Sequence, residues 1–168
     1  MDIGTVTFTY DGRVALRFQQ AFSHPPEKVW AVITEPQYLQ QWFPAEVQLD
    51  VEPGSELIFH VTGEQVRRYG LAPDHTSTGT MITARRGHIL EYLWDGETLH
   101  WEIAPDGQGG SWLTLTHTVE EEESAYAHAP GWHAGLEVVE AQLAGREIDW
   151  SPWDRAEELA SSAYRRSA

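Results

Sequence analysis

The chain has 168 residues, no cysteine, and a formal charge of −15 from 26 acidic against 11 basic residues. A chain of this length buries roughly 70% of its unfolded surface without cross-links, so one domain over residues 1–168 is expected. Disulfides, a thiolate zinc site and a cysteine nucleophile are excluded, and the acidic balance without a long basic run argues against a nucleic-acid partner.

The start MDIGTVTFTY lacks both a basic end and an apolar core, and nowhere do about 18 apolar residues run together. A soluble, cytoplasmic chain with no membrane partner is the expectation. Lys28 is the only lysine, which removes most candidates for Schiff-base chemistry.

In chain order, residues 6–10 and 13–22 flank Asp11-Gly12, whose tolerance of positive φ suits a tight hairpin turn. Ser23 is placed to cap a helix that Pro25 and Pro26 start, since their missing N–H groups would be unpaired there anyway. Val29, Trp30, Val32 and Ile33 give this helix its apolar stripe. Pro36 interrupts it, and a second short helical segment carries Leu39, Trp42 and Phe43 up to Pro44.

From residue 45 to 120 the period becomes two, with breaks at Pro53-Gly54, Gly63, Pro73-Asp74, Gly87, Asp95-Gly96 and 105–110, predicting about six antiparallel strands. Leu57, Phe59 and Val61 share one face; so do Leu90, Tyr92 and Trp94, then Leu99, Trp101 and Ile103, then Leu113, Leu115, His117 and Val119. The opposite parities (His60, Glu91, His100, Glu102, Thr114 and Thr116) are expected to face water. The run 120–123 reads as a solvated strand end. A late helix is predicted from near Pro130, with Trp132, Leu136, Val139 and Leu143 on one face and Gly145 as its stop. Residues 154–166 predict a last helix.

The segments FSHPPEKVWAVITEPQYLQQWF, SWLTLTH and GWHAGLEVVEAQLAG resemble homologues of the activator of heat shock protein 90 ATPase, a family of the START-like (SRPBCC) superfamily. The resemblance runs from about residue 13 to 164. It implies an α+β helix-grip fold: a curved antiparallel sheet of about seven strands wrapped round a long C-terminal helix, with two short helices after the first strand. Relatives often hold an arginine where Trp112 stands, and the N-terminal hairpin extends the usual first strand. No catalytic set is implied, because most members have no established reaction.

Helix and sheet in that arrangement leave room for a cavity. Tyr92, Trp94, Trp101 and Trp132 are candidates for its aromatic wall, Leu57, Phe59, Leu115 and Leu136 for its apolar lining, and Trp42 and Phe43 for its mouth. His117 lies on an apolar strand parity and His133 on the opposing helix, so they are candidates to meet as hydrogen-bonding groups or as acid and base, or to be satisfied core histidines. His133 and Glu137 have an i, i+4 spacing, but without HExxH or a third ligand no metal is expected. There is neither a phosphate loop nor GxSxG, so no cofactor is expected.

The leading functional expectation is a non-enzymatic module that binds a small apolar or aromatic molecule. A polyketide cyclase or hydratase using the same cavity, with His117 or Tyr92 moving a proton, is the second. A co-chaperone that stimulates an ATPase partner is the third. Trp112, on the outward parity, is expected to be partly covered by a neighbouring aromatic, by the N-terminal hairpin or by a second subunit, the last as a weak homodimer through the sheet face.

Overall fold

The computed structural model describes residues 2–166. β1 (Thr5–Phe8) and β2 (Val14–Phe22) form the expected hairpin, with Gly12 at φ 83° in a turn wide enough to include Tyr10. α1 (Pro26–Thr34) and α2 (Pro36–Trp42) follow. Pro25 rather than Ser23 occupies the cap position of α1, and no side chain caps its first turn. Glu35 is extended between the two helices, as Pro36 requires of the residue before it.

The chain continues through β3 (Glu56–His60), α3 (Gly63–Tyr69), β4 (Thr76–Arg85), β5 (Ile89–Trp94), β6 (Glu97–Pro105) and β7 (Ser111–Val119). It closes with α4 (Glu122–Leu143) and α5 (Pro152–Ala160). The strands form one seven-stranded antiparallel sheet in the order β1-β2-β7-β6-β5-β4-β3. No helix among the described residues is long and apolar enough to cross a membrane.

Two expectations are corrected. Residues 45–120 hold five strands and a helix rather than six strands: residues 45–52 contribute only the isolated bridge Glu46–His60, and the segment after Gly63 is α3. That helix has a capping box, in which the Thr62 hydroxyl accepts from the Gln65 N–H at 3.2 Å and the Gln65 side chain accepts from the Thr62 N–H at 2.8 Å. Its polar composition hid it, because none of its residues is buried.

α4 begins at Glu122, eight residues before Pro130. The run read as a strand end supplies two first-turn carboxylates, Glu122 and Glu123, which suit the positive end of a helix dipole. Pro130 sits inside the helix and removes one backbone hydrogen bond there.

The strand register agrees with the parities. Trp101 lies opposite Leu90 on β5 and Leu115 on β7, and all three are fully buried. His60 and Glu102 are exposed, while Glu91 and His100 are half-buried and joined at 2.7 Å. Thr114 departs from its parity: on a central strand beside Gln19, whose amide reaches its hydroxyl at 3.4 Å, it is only 8% exposed. α4 lies against the inner face with Trp132, Leu136 and Val139 buried.

Candidate functional site

Under α4 the inner face is filled by aromatic rings. Phe59 stacks on Trp94 at 4.5 Å between centroids, Phe43 stacks on Trp94 at 5.4 Å, and Trp101 meets Trp42 and Trp132 edge-on at 5.8 and 5.9 Å. The Tyr92 hydroxyl accepts from the Trp101 indole N–H at 3.3 Å, and burial pushes that phenol's pKa upward. These offset-stacked and edge-to-face contacts are the favoured ring geometries, and they occupy the space expected to be hollow.

Open volume lies instead at the rim, in a cleft of about 1120 Å³ bounded by α2, the segment after it, α3, the first half of α4, and α5. Of the expected site residues, Trp42, Phe43 and Trp132 line this cleft. Leu57, Phe59, Tyr92, Trp94, Trp101, Leu115, His117 and Leu136 do not; they form the packed layer beneath it.

His117 is 2% exposed and makes two hydrogen bonds. Its Nδ1 lies 3.0 Å from the Trp132 Nε1, and its Nε2 lies 2.9 Å from a Glu97 oxygen. An indole N–H only donates, so Nδ1 must accept; Nε2 therefore carries the ring proton and donates to the carboxylate. His128 stands next to this chain, its ring 4.8 Å from that of His117 and its Nε2 3.8 Å from the same Glu97 oxygen.

Burial acts to raise the Glu97 pKa, but the His117 hydrogen bond and the neighbouring His117, His128 and Arg13 outweigh it and leave the carboxyl below its ordinary value. Burial, and then the closeness of His117, lower the pKa of His128. Glu97 is thus held ionised beside two imidazoles.

Glu97, His117 and His128 offer three metal-type donors within 4.8 Å of one another. The protonation of His117 works against that use. A metal on Nε2 would force the ring proton to Nδ1, where it would face the Trp132 N–H, whereas ligating histidines normally donate through the second nitrogen. The arrangement suits a hydrogen-bond relay better than a cation.

His133 does not meet His117. Its Nδ1 lies 2.7 Å from the Tyr164 hydroxyl, which also accepts from the Gly4 N–H at 2.8 Å, and its Nε2 lies 3.2 Å from Glu137. Arg155 holds Glu137 through two nitrogens at 3.1 and 3.2 Å. Burial leads in lowering the His133 pKa and in pushing Tyr164 up to about 12. This chain ties the N-terminal segment, α4 and the C-terminal residues together, and its carboxylate is already neutralised by a guanidinium.

The sequence reading missed Glu97, His128 and Gly131. Glu97 shares the inward parity of Leu99 and Trp101, a carboxylate on an apolar face. His128 is one turn before Trp132, visible only once the helix is extended upstream of Pro130. Gly131 is a glycine inside a helix, where it weakens the element by about 1 kcal/mol relative to alanine.

The sheet gripping α4, with its cleft at the rim, is the α+β helix-grip fold of START-like proteins. The model of the family described as Activator of Hsp90 ATPase homolog 1-like protein matches residues 23–144, and the chain belongs to that family. No curated protein matches the chain.

Among solved structures, a Bordetella parapertussis protein encoded by gene BPP1335 is 25% identical with a TM-score of 0.72, covering 92% of this chain and 86% of that one. A conserved Enterococcus faecalis protein of unknown function, EF2215, is 17% identical with a TM-score of 0.67, covering 95% and 89%. CalU16 from Micromonospora echinospora is 17% identical with a TM-score of 0.63, covering 97% and 96%. The last two likenesses bear on fold alone.

Proposed function

We propose that this protein binds a small, largely apolar or aromatic molecule in the rim cleft, with Trp42, Phe43 and Trp132 forming part of its floor. The observation that carries the reading is Gly131: a β-carbon added there would meet nothing within 4 Å, so this turn of α4 faces open space beside the buried Trp132 ring. Concave, mainly apolar sites with a few polar groups are the usual form of small-molecule pockets. Native mass spectrometry of protein purified from its own host is expected to show a co-purifying small molecule, and Gly131→Leu is expected to lose it while remaining folded. Retention of the molecule by Gly131→Leu would place binding elsewhere.

A second reading is an enzyme of the polyketide cyclase or hydratase type. It is supported by the Trp132–His117–Glu97 hydrogen bonds, beside which His128 borders the cleft with its Nε2 3.8 Å from Glu97. In that case His128 exchanges a proton with the bound molecule and Glu97 balances the charge that forms. Glu97→Gln separates the two readings, because a binding module keeps its ligand unchanged whereas an enzyme turns it over only with Glu97 intact. Stimulation of an ATPase partner rests on the family description alone. Trp112 remains 45% exposed, and weak self-association through that face is part of the proposal.

A further inference from the structure

We propose that the cleft selects cationic aromatic molecules, such as an amine carried on a ring system, over neutral and anionic ones of the same shape. The proposal rests on the cleft being the binding site and names the class of ligand it takes.

Three carboxylates line the cleft, Glu46, Glu64 and Glu157, against one guanidinium, Arg67. That guanidinium is occupied, with its Nη2 2.6 Å from Glu64. Behind it Arg68 is shared among Glu64 at 3.0 Å, Asp154 at 2.5 Å and Glu157 at 3.1 Å. Among the described residues Glu46 has no ion-pair partner, although it borders the same cleft. Excess negative charge therefore remains after the local arginines have been used.

The indole donors of Trp42 and Trp132 are spent as well, which leaves glutamine, threonine and histidine side chains among the cleft's donors beside the paired Arg67. The Trp42 indole N–H donates to the Val32 carbonyl at 3.2 Å, and the Trp132 indole N–H donates to His117. Neither indole has an N–H left to offer a ligand. At its edge Tyr69 and Trp153 add two further aromatic rings, 6.4 Å apart and edge-on. An ammonium group gains from aromatic faces and from carboxylates, while a carboxylate loses to both.

Charge on the molecule as a whole must be separated from charge in the cleft. Three probes of nearly equal shape do so: 1-naphthylmethylamine, 1-naphthylmethanol and 1-naphthoate, titrated calorimetrically at low and high salt. The amine is expected to bind more tightly than the alcohol by on the order of tenfold at low salt, and the naphthoate more weakly than the alcohol. Raised salt should narrow the gap. Glu46→Gln should weaken amine binding more than alcohol binding and so reduce the amine's advantage, and Gly131→Leu should abolish binding of both.

Alcohol binding without a preference for the amine, or a preference untouched by Glu46→Gln, would overturn the charge selectivity and leave the cleft reading standing. Amine binding that survives Gly131→Leu would mean adsorption to the acidic surface, and would likewise overturn it. Failure of all three probes to bind would overturn the cleft reading itself.

Discussion

Gly131 and Gly135 lie one turn apart on α4, yet a β-carbon at Gly135 would sit 3.0 Å from Trp42 Cε3 and 3.3 Å from the Trp42 carbonyl, whereas one at Gly131 would meet nothing within 4 Å. The later half of the helix is pressed against α2 and the sheet; the earlier half borders the cleft. The two buried histidines divide in the same way. His133 bonds a tyrosine hydroxyl and a carboxylate that an arginine neutralises, whereas His117 bonds an indole and a carboxylate whose next neighbour is His128 on the cleft. Similar local chemistry thus ties chain segments together at His133 and stands beside the cleft-lining His128 at His117.

Gly135→Leu forces a side chain into Trp42 and is expected to cost about 1–3 kcal/mol or more, as overpacked sites do. Gly131→Leu is expected to be neutral or to stabilise by up to ~1 kcal/mol, since the helix gains a better former and nothing is displaced. Urea unfolding of both variants checks this, and equal losses would contradict the division of the helix.

Deleting one donor in each relay sharpens the contrast. Trp132→Phe removes the bond to His117, and Tyr164→Phe removes the hydroxyl that joins Gly4 to His133. Each is expected to cost about 1–3 kcal/mol, because a buried partner is left unsatisfied. Only Trp132→Phe should change the His117 tautomer balance, read from its ring nitrogen chemical shifts.

Acid titration gives a smaller effect with a defined sign. Burial lowers the pKa values of His128 and His133 below 6.5, so the unfolded chain takes up protons first. Their contribution to stability is complete above 6.5 and is lost as pH falls through the lowered folded-state values. Glu97, also lowered, contributes above 4.5 and loses that contribution as pH falls further. The urea midpoint should therefore be flat above neutral pH and begin to fall below about 6.5, with His128→Gln removing part of that first slope.

The smallest effect is expected at Trp112. Its strand partners are Ala21 on β2 and Ala104 on β6, and β1 pairs only with residues 14–17, so among the described residues neither a cross-strand aromatic nor the hairpin covers it. Sedimentation should show weak self-association of the natural chain that Trp112→Arg removes. An identical monomeric mass for both would dismiss that part of the proposal.

Much of the fold was legible because apolar residues follow the strand period, Pro26 marks the start of the first helix and Pro36 marks the break before the second. α3 escaped notice because it buries nothing and its signal was a capping box. The first eight residues of α4 were hidden by reading Pro130 as a start rather than as an internal residue. For the site, parity located the inward residues but could not tell a lining ring from a packed one, since both are buried aromatics on the same strand face. That distinction depends on how far α4 stands from α2, α3 and α5, which no local pattern encodes. Glu97 did carry a local sign, a charge on an apolar parity, and the histidine partners it gathers come from β7 and α4.

The most direct test of the binding site is to follow backbone amide resonances while 1-naphthylmethanol is added. The largest shifts are expected at Gly63, Gly131 and Ala156, which come from three helices around the cleft. Shifts centred on Leu57, Tyr92 and Trp101 would place the probe between helix and sheet, and shifts centred on Trp112 would place it on the outer face; either result would contradict the account.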